Sequence, residues 1–434
     1  MRRLCLSLLI LWVHLGDLAS AWLYHGGAWP QAAQLRPLRD LLSIALALAC
    51  LLTLRLPTKL LLPILAYGAL AALYLLAGWG EGMASGILVG SLGTLLIPML
   101  FFLAGYYGIR DRVDLRRAAS LLLLLGIASA LFGAWDRQHS EFWIEVVRYP
   151  AYILDVKGVL IGANPDTGLP WNFYGGEELQ RRAAGLLAAP LAQGMFLAVT
   201  ALLALALRPL GARWLGMLLC GLLFVGIWMS GTRGAMLAGG IAVLGFLASA
   251  RGLLRSAFAR LALSAAALLA IAFASYGIVQ MSLEMRDGST VGHWMALQKN
   301  LADLPQVWLL GAGLGHQGGI AAQNGLSMVG GGEGALFSVA FQLGVPTALV
   351  FLAFFLSVAQ QLWRAYRHTG DSLALALFWL ALGIATTLIS SEHVLSVSAT
   401  AAFWLMCGGA LRANAVAAAV AEPRVAMEPG SIDE

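Results

Sequence analysis

The residues of this chain that could do chemistry gather in short polar stretches between long apolar ones. Glu333 follows Gly330-Gly-Gly332 and stands immediately before an apolar run. A carboxylate at the mouth of a membrane segment is costly unless it faces a cavity or a partner. Glu333 is therefore a candidate general base; the bland alternative is an acid favoured by a helix dipole, worth ~0.3–1 kcal/mol. Arg181 and Arg182 precede a second apolar run, and Arg233 sits in the tight Ser230-Gly-Thr-Arg-Gly-Ala235 turn. A guanidinium fork suits two oxygens of a phosphate, so Arg182 and Arg233, with Arg181 beside them, are expected to clamp a phosphate or pyrophosphate. An arginine snorkelling to the membrane surface is the alternative for Arg233.

His293, His316 and His393 accompany these groups. No HExxH pattern or paired-carboxylate spacing surrounds them, so they read as polar groups rather than metal ligands. His316 is the second candidate for a base, and His293 a candidate substrate contact. There is no P-loop and no nucleophile elbow. Gly311-Ala-Gly313-Leu-Gly315 alternates glycines outside any βαβ context, so it carries no dinucleotide signal. It reads instead as a tight turn whose backbone approaches a neighbour, with Gly313 and Gly315 lining the site. Neither metal nor cofactor is expected.

The elements that must position these residues are membrane helices. The 434 residues are 60% hydrophobic and 11% charged, with mean hydropathy +0.81, which excludes a soluble domain. Runs near the ~20 residues a bilayer needs recur at 4–20, 41–54, 60–78, 84–105, 118–135, 184–207, 211–229, 234–250, 257–279, 334–360, 372–390 and 394–411. The fold class is an all-α polytopic membrane protein of about 12 helices. The first run ends in Ala19-Ser-Ala21, a possible signal cleavage pattern; a retained helix is the preferred reading, and either leaves Trp22 outside.

Short basic loops around Arg55 and Lys59, Arg110 to Arg117, Arg208 and Arg213, Arg251 to Arg260, and Arg364 and Arg367 share a side with Arg2 and Arg3. That side is cytoplasmic by the positive-inside rule, so the net charge of +5 reflects topology and not nucleic-acid binding. Both termini are expected there, with 412–434 a disordered tail. Two long loops, 136–183 and 280–333, fall on the opposite side with most of the acids. The first carries Trp143, Tyr149, Tyr152, Trp171, Phe173 and Tyr174. These form either an interfacial belt or a sugar-stacking surface, with Trp171 the named sugar contact. The four cysteines all lie in apolar runs, so no disulfide is expected. Helix centres are nearly free of charge, unlike those of a transporter, which favours an enzyme with an outer site.

Several segments resemble the O-antigen ligase and polymerase superfamily. Arg182-Ala-Ala-Gly185 with Ala189-Pro190-Leu-Ala-Gln-Gly194 is similar to that family's arginine-led helix start, and Ser230-Gly-Thr-Arg-Gly-Ala235 to its glycine–arginine turn. Ser289-Thr-Val-Gly-His293, Leu310-Gly-Ala-Gly-Leu-Gly315 and the stretch from Glu333 through Gly344 resemble three further motifs, in family order over about 182–347. Family ligases place His-Asn where this chain has Glu333-Gly334; polymerases often use Glu there. Thr347 replaces a usual glycine.

The resemblance implies a GT-C-like membrane glycosyltransferase in the bacterial inner membrane, with its site on the periplasmic side. The donor would be an oligosaccharide on undecaprenyl pyrophosphate. The acceptor would be a second lipid-linked glycan, in O-antigen or exopolysaccharide polymerisation, or a lipid A–core sugar, in ligation during lipopolysaccharide synthesis. A chain-length regulator is a possible partner. A lipid-glycan flippase is the reading from another class.

Overall fold

The computed structural model describes residues 2–25, 29–157, 162–175, 180–207, 212–250, 265, 280, 284 and 288–421. The helices are α1 (Arg2–His25), α2 (Arg36–Thr53), α3 (Thr58–Gly80), α4 (Ser85–Gly108), α5 (Arg112–Asp136), α6 (Tyr149–Tyr152), α7 (Pro190–Leu207), α8 (Arg213–Ser230) and α9 (Arg233–Ser249). They continue with α10 (Gly288–Val307), α11 (Gly318–Gln323), α12 (Ala335–Thr369), α13 (Ser372–Ala385) and α14 (Val397–Ala421). Tyr174–Gly175 (β1) and Gln180–Arg181 (β2) pair as a minimal antiparallel ribbon.

Among the described residues eight helices are long and apolar enough to cross a membrane: α1, α3, α4, α5, α7, α8, α12 and α14. The chain is thus an all-α, multi-pass membrane protein. α9 and α13 are shorter apolar helices. α2 starts ahead of its apolar run, with Pro37 in its first turn, where the ring's fixed φ favours a helix start. The run at 257–279, apart from residue 265, and the basic positions Arg208, Arg251, Arg255 and Arg260 lie outside the described residues.

The core is built around α7, in which Ala192 through Ala206 are all buried. A helix apolar on every side belongs in the interior, and α5, α8, α9, α13 and α14 pack around it. α4 and α14 approach through small residues: a β-carbon on Gly105 would overlap the Leu405 carbonyl, and one on Gly408 the Phe102 carbonyl. Without a hydrophobic drive in lipid, such close approach supplies the packing energy.

Three expectations change. The helix expected from residue 184, led by Arg181 and Arg182, begins only at Pro190. Arg181 lies in β2, and Gly185–Leu187 form a 3-10 turn ending at left-handed Ala188. The cause is lateral bonding. The buried Asp136 carboxylate accepts from the Ala184 and Gly185 amides, and Ser129 Oγ from that of Leu186. Next, α14 continues to Ala421, so the disordered tail expected from Arg412 is helical over its first ten positions. Buried Asn414 explains this, donating to Asp371 Oδ2 at 2.7 Å; 422–434 lie outside the described residues.

The aromatic loop is the third change. Trp143, Tyr149, Tyr152 and Phe173 are buried in a satellite core with Ala184 and Ala188. Trp143 meets Tyr149 edge-on at 5.5 Å, and Tyr149 donates to the Ala188 carbonyl at 3.0 Å. These four rings serve neither as a membrane belt nor as a stacking surface. Trp171 alone of the large rings stays exposed, at 41%.

Candidate functional site

One face of α10 assembles the site. Thr290, His293, Ala296 and Asn300 recur at helical spacing, so all four look the same way. His293 Nδ1 pairs with Glu333 Oε2, joining residues 40 apart in sequence. Ala296 presents backbone: a β-carbon on Gly331 would overlap its Cα. Asn300 donates Nδ2 to the Glu333 carbonyl at 2.9 Å and accepts the Gly331 amide at 2.8 Å. On the adjoining face Lys299 bonds the Gly330 carbonyl at 2.9 Å, while Asp303 accepts the Gly330 amide at 2.9 Å. The glycine run is therefore gripped on both sides, and Gly330 (φ +76) and Gly332 (φ +79) turn it as only glycine does without strain.

Beyond Glu333 the chain enters α12 through Gly334, at φ 92. Glu333 stands one residue before this N-cap, and its carboxylate is paired with His293. The first α12 amides are met instead by the segment after α13: Ala335 N–H donates to the Ser391 carbonyl at 3.0 Å and Leu336 N–H to that of Leu388 at 3.1 Å. This satisfies donors that a helix start leaves open. It also draws Glu392 and His393 to the site.

The two arginines reach the same end of the bundle. Arg233 opens α9 and donates Nη1 to Thr290 Oγ1 at 3.0 Å, so it touches the α10 face that carries His293. The Arg182 side chain lies over Gly231, two residues before Arg233; a β-carbon there would sit 3.0 Å from its Nε. The Gly175 position is equally closed by that guanidinium. Both glycines make room for an arginine.

Glu392 and His393 also belong here, although in sequence His393 reads only as a polar group and Glu392 does not stand out. Burial pushes the Glu392 carboxyl up to about 7; the Ser338 hydroxyl opposes this, and the negative charge of Glu333 adds to it. Its Oε1 is buried without a hydrogen-bond partner among the described residues. His393 is pushed down to about 4, by burial and then by His293, so it is neutral at pH 7. Its ring lies near Gly234, where a β-carbon would be 3.7 Å from Nε2. The signal was present: Ser390-Ser-Glu-His393 places an acid between two apolar runs, the feature that singled out Glu333. Asn300 and Asp303 are further site residues whose only sign in sequence is an amide and an acid at helical spacing from His293.

Other predicted residues stand apart. The Arg181 guanidinium is occupied: Nε donates to Ser140 Oγ at 3.1 Å, Nη1 to the Arg182 carbonyl, and Nη2 lies 3.7 Å from Asp136. It also covers the Phe173 ring at 4.7 Å. This arginine braces the loop that presents Arg182. His316 bonds the Ser327 carbonyl at 3.2 Å, and among the described residues no hydrogen bond or ion pair joins it to Glu333. Trp171 stacks edge-on with Tyr174 at 6.4 Å in the first loop.

Gly311, Gly313 and Gly315 all have positive φ, and their loop supports the site from beneath. Ala312 N–H donates to the Phe341 carbonyl at 2.6 Å, Val345 N–H to that of Trp308 at 2.7 Å, and Gly315 N–H to Gln342 Oε1 at 3.1 Å. A β-carbon on Gly311 would meet the Gln342 carbonyl carbon at 2.7 Å. The partner for this close approach is the α12 backbone, bent at Gly344 (φ 81, ψ 157).

The assembled end of the bundle holds two guanidinium groups, a histidine–glutamate pair, a neutral histidine and a second acid. Such a set can bind an anion, take a proton from a hydroxyl and hold a polar ligand. No protein-family model matches the chain, and no curated protein matches it.

Proposed function

We propose that this protein is a glycosyltransferase of the bacterial inner membrane, with both termini cytoplasmic and its site at the periplasmic leaflet. Its donor is a glycan on undecaprenyl pyrophosphate and its acceptor a hydroxyl of a second lipid-linked glycan, as in polymerisation of O-antigen or exopolysaccharide repeat units. The observation that carries the reading is the bond between His293 and Glu333, formed on the same α10 face that receives Arg233.

The chemistry follows from these groups. Glu333, oriented by His293, takes the proton of the acceptor hydroxyl as its oxygen attacks the anomeric carbon. The bond from that carbon to the pyrophosphate oxygen breaks. Negative charge growing on the leaving pyrophosphate is met by Arg182 and Arg233, whose forks match its oxygens. Pyrophosphate departs without protonation, so charge neutralisation is what the site must supply. The proton remains on Glu333 and passes to solvent before the next turn. An amphipathic donor of this kind also calls for a site where polar loops meet apolar helices, which is where these residues lie.

The test is purified protein in liposomes supplied with lipid-linked oligosaccharide. Longer lipid-linked glycan is the expected product. Glycan transferred only to lipid A–core would instead make the protein a ligase. Glycan that crosses the bilayer without being lengthened would make it a flippase.

A further inference from the structure

A cavity of about 650 Å³ opens between α1, α2, α4 and the segment that leads into α14. It falls within the size range of small-molecule sites. Part of its wall is apolar, from Val89 and Ile97 on α4 and Ile44 on α2. The rest is polar. Ser20 on α1 and Glu392 both line it, and each has a buried side-chain oxygen, Oγ and Oε1, without a hydrogen-bond partner among the described residues. Buried polar atoms are nearly always bonded, and one left open costs about 1–3 kcal/mol. These two call for an occupant that can donate and accept.

The charges lining the cavity narrow the class of occupant. Lys157 bonds Asp17 at 2.8 Å and Arg39 bonds Asp40 at 2.8 Å, so both cations are neutralised within the wall. What remains is an acid, Glu392. This is the opposite of the Arg182 and Arg233 end, and it does not suit a phosphate. A neutral, hydroxyl-rich ligand fits, because each hydroxyl both donates and accepts. α4 contributes Gly90 and Gly93 on one face, and nothing lies within 4 Å of a β-carbon built on Gly93. The open wall leaves room for a ring.

We propose that this cavity is a saccharide site that receives the acceptor glycan, with Ser20 and Glu392 as its contacts. The assignment rests on the glycosyltransferase reading for the word acceptor; saccharide binding itself does not. Glu392 borders the cavity, and its neighbour Ser391 accepts the Ala335 amide two residues past Glu333 at 3.0 Å. A glycan seated there extends toward the histidine–glutamate pair, while the pyrophosphate of the donor is held by the arginines. Donor and acceptor thus enter by separate routes, sorted by charge.

The probe is the oligosaccharide released from the cells' own lipid-linked pool, free of lipid, offered to the full-length protein in detergent. Saturation-transfer NMR reads its binding. Gly93→Leu puts a side chain on the cavity wall at a position where a β-carbon meets nothing within 4 Å, and Glu392→Gln removes the acid. Each is expected to weaken binding about tenfold or more, and Gly93→Leu to raise the acceptor KM with the donor KM unchanged. Oligosaccharide that fails to bind wild type, or binds Gly93→Leu equally well, overturns the proposal. So does a copurifying phospholipid that Gly93→Leu expels and the oligosaccharide does not displace. Transfer by wild type that is indifferent to Gly93 would sink the cavity and leave the enzyme standing. Cavity-dependent binding without any transfer would do the reverse.

Discussion

Asn300 holds Glu333 by its main chain. Its Nδ2 donates to the Glu333 carbonyl at 2.9 Å, and its Oδ1 takes the Gly331 amide at 2.8 Å. The carboxylate is thereby set against His293 from two directions, one through the backbone and one through the side chain. Asn300→Asp keeps the acceptor and loses the donor; Asn300→Ala loses both. Each bond is worth about 1 kcal/mol, so glycosyl transfer per folded protein is expected to fall in two steps, less in Asp than in Ala. The donor KM should stay near wild type. A shifted donor KM with unchanged kcat would assign Asn300 to donor binding instead.

Glu333→Gln, nearly isosteric, is expected to fold, bind donor and lose transfer by about 10²-fold, the scale of a general base. Glu333→Asp should keep part of the rate. Since His293 acts through Glu333, His293→Gln added to Glu333→Gln should cost little more than Glu333→Gln alone. Near-normal turnover in Glu333→Gln would return the acid to a structural role and make His316 the next residue to test.

Lysine keeps the charge of arginine but not its fork. Arg182→Lys and Arg233→Lys are each expected to cut polymer formation sharply in protein that still inserts and is expressed. Arg181→Lys should act differently. It loosens the bonds to Ser140 and the Arg182 carbonyl and should lower the melting temperature. Full activity in both Arg233→Lys and Arg233→Ala would leave that residue as an interfacial anchor.

Glu392 gives the stability a pH dependence of known sign. Its carboxyl moves from an ordinary 4.5 to about 7 on folding, chiefly through burial. Between those values the folded protein binds more protons than the unfolded one, so stability falls as pH rises. Glu392→Gln lacks this loss. The melting temperature of the variant relative to wild type should therefore climb from pH 4.5 to 7 and level off above. A difference that stays flat across that window would contradict the burial of this acid.

Gly344 has φ 81 and ψ 157, a region essentially reserved for glycine and worth about 1–3 kcal/mol in strain for other residues. A β-carbon would also strike the Leu309 carbonyl. Gly344→Ala is expected to lower the thermal midpoint and to reduce activity by disturbing the loop on which the site rests. Gly370→Ala, also at positive φ (69) but with nothing nearby, is the control and should lose stability alone.

Spans were legible in sequence because hydropathy is a property of consecutive residues. The position of α10 was legible in part, since 293–304 has helical spacing. Glu333, Arg182, Arg233 and His293 could each be picked out by residue type and boundary position. Their meeting could not, because the links run from 182 to 231, from 233 to 290 and from 293 to 333, and no local pattern encodes such pairings. Burial misled in both directions. Trp143 and Phe173 look like surface aromatics in a charged loop, yet the satellite core claims them. Arg181 and Arg182 are adjacent and chemically equal, yet only the fold reveals that Asp136 and Ser140 hold the first.

The loop beneath the site is joined to α12 through main-chain atoms: Ala312 to Phe341, and Trp308 to Val345. Bonds of that kind ignore side-chain identity. Leu310, 68% exposed, contributes its carbonyl, which accepts the Tyr74 hydroxyl. A descendant can therefore exchange most letters of this segment and keep its shape, provided that Gly311 and Gly344 stay. Kinship would then survive here as a rhythm of glycines while ordinary residue-by-residue similarity decays.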